Sequence, residues 1–137
     1  MIGRFLKDRS GASAVEFALI APVLAAVVTA GWSLWWGQSA IEQAKTGLHA
    51  GAEYYDSGGT SDSTAQSLVS GAWPSKPASG QVTTARACYC NGSVVDCSTA
   101  CTAGQTRTVY VTLQVAWTGQ GAFAGQQQSQ QEVLRVQ

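Results

Sequence analysis

Charge is scarce in this chain. Eight basic and eight acidic side chains are spread over 137 residues, 12% of the total, where about 25% is usual for a soluble domain. The net charge is zero, so nothing suggests bulk electrostatic attraction to a phosphate backbone, and no nucleic-acid partner is expected. There is a single histidine, His49. No Ser/His/Asp or Cys/His arrangement can be built around it, and it reads as a helix-surface residue. No glycine-rich loop ends in Lys-Ser or Lys-Thr, as phosphate binding would need. No carboxylate pair has glycosidase spacing, and no internal repeat is visible. The chain reads as a non-enzyme without a cofactor. Asp56, Asp62 and Asp96 fall in polar stretches and read as turn residues.

Apolar residues, by contrast, are concentrated near the N-terminus. Residues 12–36 contain 25 residues and one charge, Glu16, long enough to cross a hydrocarbon core of about 30 Å as a helix. Ahead of them lies MIGRFLKDRSG, with Arg4, Lys7 and Arg9 against Asp8. That imbalance places residues 1–11 in the cytoplasm and the rest beyond the membrane. Trp32, Trp35 and Trp36 sit at the far end, where indole rings suit the membrane–water interface. The anomaly is Glu16. Charged side chains at a helix centre cost about 2.5–3.5 kcal/mol on insertion scales. A cleaved signal peptide ending near Ala30, or a plain signal anchor, gives this acid no role.

The helical pattern does not stop at the tryptophans. Ile41, Ala44, Leu48, Ala52 and Tyr55 recur at three- and four-residue steps, with Glu42, Gln43, Lys45 and Glu53 elsewhere around the wheel. One helix is predicted from about Ala12 to about Tyr55, ended by Asp56-Ser57-Gly58-Gly59. Pro22 falls inside it and is expected to kink or locally unwind it.

A basic leader, Gly11, four residues, Glu16, the aromatic Phe17 and a long apolar helix: this order resembles the N-terminus of type IV pilin-like proteins. The stretch GASAVEF is similar to the tight-adherence (Tad/Flp) branch. RFLKDRSGASAVEFALIAPVL is closer still to the TadE/TadG-like pseudopilins, or minor pilins, of that branch. The closest similarity covers about residues 4–45, with a weaker echo in LRVQ near the C-terminus. The resemblance implies cleavage by a prepilin peptidase between Gly11 and Ala12. It implies that Glu16 meets the new amine of a neighbouring subunit's Ala12. Other pilin or pseudopilin subunits and an inner-membrane assembly platform would be the partners. The chain would be single-pass in the inner membrane before assembly and then part of a surface pilus. Pilus biogenesis, attachment and biofilm formation would be its role. The rival expectation is a secreted or membrane-anchored binding domain with no part in assembly.

Beyond residue 56 the chain becomes rich in Gly, Ser, Thr and Gln. A short helix is expected over 63–73, with Ala65, Leu68, Val69 and Ala72 on one side. Strict alternation in RTVYVTLQVAW, residues 107–117, predicts a strand whose Val109, Val111, Leu113, Val115 and Trp117 share one face. Residues 81–91 form a second strand candidate. Asn91-Gly92 then turns the chain into a third over 93–97. A short last strand is expected over 132–137, after GQGAFAGQQQSQQ, which reads as a mobile loop or a variable surface.

Cys88, Cys90, Cys97 and Cys101 lie within fourteen residues. C-x-C is a poor start for a zinc site, and an extracytoplasmic setting favours disulfides. Two bridges and no metal are expected. Nested pairs, Cys90–Cys97 with Cys88–Cys101, are preferred over Cys88–Cys97 with Cys90–Cys101. The expected whole is an α+β, type IV pilin-like plan: a long N-terminal helix packed on a small antiparallel sheet. Its regions are a leader (1–11), a membrane and assembly helix (12–36), its amphipathic continuation (37–56) and a disulfide-containing β-rich domain (57–137).

Overall fold

The computed structural model describes the backbone of residues 10–136 and the side chains of residues 14–121 and 123–136. The expected leader falls largely outside them. Helix α1 spans Ser10–Asp56 and α2 spans Asp62–Ala72. The strands are β1 (Gln81–Cys90), β2 (Ser93–Val95), β3 (Arg107–Thr118) and β4 (Gln127–Arg135). The chain divides into two compact units between Trp36 and Gly37.

Within the first unit the side chains of α1 face outward on every side. Phe17, Leu19, Val23, Leu24, Val27 and Val28 are all exposed, and the helix is long and apolar enough to cross a membrane. The Thr29 hydroxyl needs no outside partner, because Thr29 Oγ1 donates to the carbonyls of Ala25 and Ala26 at 2.9 and 3.0 Å. The rings of Trp32, Trp35 and Trp36 cluster with centroids 5.7–6.5 Å apart. The helix runs through Pro22; a kink there stays an expectation.

The second unit holds an antiparallel sheet of order β2-β1-β3-β4. Residues 37–56 of α1, together with α2, cover one face of it, which makes the fold α+β. The alternation of β3 decides which face: Val109, Val111, Leu113, Val115 and Trp117 are all buried. Val111, Leu113, Val115 and Trp117 meet Ala44, Leu48 and Tyr55 of α1, Ala65 and Val69 of α2, and Trp73 just beyond it. Two glycines let α1 and α2 approach. A Cβ on Gly47 would stand 2.8 Å from the Val69 carbonyl oxygen, and one on Gly51 2.5 Å from Val69 Cγ2.

Local chemistry sets the ends of these elements. Gly58 takes φ +92°, which glycine adopts without a steric penalty. The amides of Gly58 and Gly59 then bond back to the carbonyls of Tyr55 and Tyr54, closing α1 in a Schellman motif. Ser61 caps α2 by accepting from the Thr64 amide. Asn91 and Gly92, with φ of 49° and 86°, make the two-residue turn between β1 and β2.

Three expectations need correction. Leu68 is exposed, because the buried stripe of α2 follows Ala65, Val69 and the capping Trp73. The last strand is nine residues long, and it begins inside the glutamine-rich stretch. Gln127, Gln128, Ser129, Gln130 and Gln131 pair with Thr118, Trp117, Ala116, Val115 and Gln114. Ladder bonds to β3 hold this segment whatever its side chains prefer. The preceding GAF is one turn of 3₁₀ helix, which sets Phe123 against Gly37.

Candidate functional site

Three side-chain groups could carry function, and sequence reasoning foresaw two of them. The first is the acid in the apolar helix. Glu16 and Phe17 lie on an exposed stretch of α1. Among the described residues no hydrogen bond or ion pair reaches the Glu16 side chain. The Gly11–Ala12 bond lies in the first turn of α1.

The second group is the cysteines. All four are bridged, as Cys88–Cys97 and Cys90–Cys101, with Cα–Cα distances of 5.1 and 5.6 Å. The nested pairing is therefore overturned in favour of the other one, and strand register gives the reason. Across the Asn91-Gly92 turn Cys90 faces Ser93 and Cys88 faces Val95. The chain leaving β2 runs away from Cys90, so Cys97 arrives beside Cys88. It must then come back to start β3 at Arg107, which stands opposite Cys90. That return carries Cys101 to Cys90. Arg107 ties down the same loop by donating to the Cys97 carbonyl at 2.8 Å. Asp96 accepts from the backbone amide and hydroxyl of Ser98, which holds its carboxyl below the usual range. It is a turn residue, as expected.

The third group was missed. Asp62 is the first residue of α2 rather than a free turn residue. Arg86 Nε donates to both of its oxygens at 3.0 Å, and Nη2 reaches Oδ1 at 2.5 Å and the Thr60 carbonyl at 2.6 Å. The Tyr55 hydroxyl donates to Asp62 Oδ1 at 2.6 Å, and the guanidinium sits 5.9 Å from the Tyr55 ring centroid. The arginine holds the Asp62 carboxyl below the usual carboxylate range. Burial first, then the bond to Asp62 and its negative charge, push the Tyr55 hydroxyl up to about 12. These groups join the end of α1, the start of α2 and the middle of β1. With both carboxylate oxygens engaged, the cluster is a clamp and has no atom poised for chemistry. A signal existed in the sequence: Arg86 shares parity with Val82 and Cys88 on β1, and an arginine on the covered face requires a carboxylate.

His49 projects from α1 with its side chain 80% exposed, 4.0 Å from Glu132 Oε1. With Lys45, Leu48, Gln130 and Gln131 they line an open hollow of about 230 Å³. Among the described residues no group of three or more His, Cys, Asp or Glu is arranged to hold a metal.

No protein-family model, curated protein or solved structure matches the chain.

Proposed function

We propose that this chain is a TadE/TadG-like pseudopilin or minor pilin of a tight-adherence pilus. It would assemble through the exposed apolar half of α1 and have no catalytic role. The observation that carries the reading is the placement of Glu16. It lies five residues after Gly11, on a helix whose apolar side chains, up to Trp36, are left uncovered. A helix apolar all round needs lipid or other helices about it. A carboxylate on such a helix is stabilised by a cation in the same low-dielectric surroundings. The new amine of Ala12 on a neighbouring subunit supplies one. A subunit slipped along the axis would leave both charges unpaired, so the pair also sets the register. The disulfide-bridged α+β unit suits an extracytoplasmic setting. Major pilins of this branch are typically little more than the helix, so a unit of this size favours a minor, tip or priming subunit. Prepilin peptidase and the inner-membrane assembly platform would handle the chain before it reaches the surface.

The test is the N-terminus of the protein from native membranes or sheared surface filaments, read by intact mass and terminal sequencing. Ala12 is expected. Gly31 would mark an ordinary secreted protein, and Met1 an anchored domain; either would overturn the reading. Glu16→Ala is expected to insert and be processed but to be lost from sheared filaments. Normal incorporation would remove the pairing mechanism.

A further inference from the structure

The sheet has two open edges. One is β2, only three residues long. The other is β4, nine residues long and in unbroken register with β3. Native sheets usually blunt such an edge with charge, proline or a bulge. Which backbone groups point outward follows from the ladders. The Val136 amide donates to the Val109 carbonyl at 2.9 Å. By alternation Leu134, Glu132, Gln130 and Gln128 then bond inward to β3, while Gln127, Ser129, Gln131 and Val133 aim N–H and C=O at the open edge. On the other side, the two-residue turn makes Cys90 and Ser93 a bonded pair. The Asn91 amide, meanwhile, bonds across to Thr106 on the β3 side. Ser93 and Val95 therefore face β1, and Val94 aims its backbone groups outward.

We infer that copies of this chain extend one another's sheet, the β4 edge of one pairing with the β2 edge of the next, with Val133 opposite Val94. This contact rests on the assembly reading above. Four features fit together. The strands β2 and β4 run in opposite directions, so placing one beside the other makes an antiparallel pair. Val94 and Val133 are both residues whose backbone groups are aimed outward, so they can exchange two hydrogen bonds. Both side chains lie on the sheet face away from the core, 73% and 56% exposed, and directly paired residues share a face. Val133 is also the one apolar residue among the four outward-aimed β4 positions named, the others being two glutamines and a serine.

The join needs no reversal of the molecule, so residues 37–56 of α1 run the same way in both copies, as copies anchored in one membrane must. A two-fold β4–β4 pairing would turn those helices antiparallel. Because β2 offers only three residues, the contact forms between copies already held side by side.

The experiment uses the full-length chain in lipid bilayers, as a mixture of ¹⁵N-labelled and unlabelled protein. A benzophenone amino acid replaces Val133, and in a second preparation Leu24 of the apolar helix. Illumination of the Val133 probe is expected to join it to the tryptic peptide 87–107 of a differently labelled copy. Val94→Lys should abolish that product. A Leu24 crosslink without one from position 133, or capture by the β4 strand of another copy, overturns the edge contact and leaves the assembly reading standing. Absence of crosslinks from both probes overturns both.

Discussion

The two halves of α1 are one continuous helix with opposite solutions to the same problem. Between Val15 and Trp36 large apolar side chains point in every direction and none is fully covered. After Gly37 the apolar positions narrow to a stripe: Ala44, Leu48, Ala52 and Tyr55 are buried, and Ala44, Leu48 and Tyr55 pack on the unit's own sheet and second helix. Both halves are helical. What separates them is where the hydrophobic partner comes from: the second half has it within the chain, while the first must take it from lipid or from other helices. Two probes break the comparison open. Leu113→Ala removes a fully buried side chain from the sheet and should cost about 3 kcal/mol. For a unit of this size that lowers the unfolding midpoint by roughly 15 °C. Leu24→Ala, on the exposed half, should leave the midpoint of the same unit in detergent unchanged. Equal shifts would mean that the halves share one core.

Much of this contrast is legible in the sequence, because it rests on periodicity. The five inward residues of β3 alternate without a break. Asn91-Gly92 can hardly be anything but a tight turn, and Gly58-Gly59 closes α1 where the apolar stripe ends. Pairings between distant segments are another matter. The strand at Gln127–Gln131 looks like a linker by composition, and only its partner makes it a strand. Arg86 and Asp62 are 24 residues apart, and no local pattern announces that they meet. The choice between two disulfide pairings needed the register of β2 against β1 and the return to Arg107. Glu16 is the reverse case, conspicuous in the sequence by its chemistry. Its role comes from a resemblance, since the partner proposed for it belongs to another chain.

A smaller effect sharpens the comparison from the disulfide side. Replacing Cys88 and Cys97 together by serine opens a loop of nine-residue separation. By the chain-entropy estimate that costs about 2–3 kcal/mol. The loss should appear entirely in the second unit, with the helicity of the first unchanged. The pairing itself is read by non-reducing mapping with chymotrypsin and elastase, since cleavage after Tyr89 separates Cys88 from Cys90 and cleavage after Ala100 separates Cys97 from Cys101. Peptides joining Cys88 to Cys101 would restore the nested arrangement.

The smallest expected effect belongs to the clamp. The side chains of Arg86 and Asp62 are 31% and 37% exposed, so solvent screens part of their attraction. Arg86→Met should cost about 1 kcal/mol, below the usual range for a hydrogen bond to a charged group. Its signature is the dependence on pH. Asp62 has a lowered value when folded, so its contribution is present above the ordinary carboxylate range and is lost as pH falls through the folded value. Tyr55 is raised from 10.0 to about 12. Its contribution is complete below pH 10 and disappears between 10 and 12, because the unfolded chain releases that proton first. Urea unfolding at a series of pH values should therefore show stability falling at both ends. In Arg86→Met the acid limb should flatten, because the main cause of the Asp62 shift is gone. The alkaline limb should persist, because burial and the bond to Asp62 still hold the Tyr55 proton. An unchanged acid limb in that variant would mean that the guanidinium is not what holds Asp62 ionised.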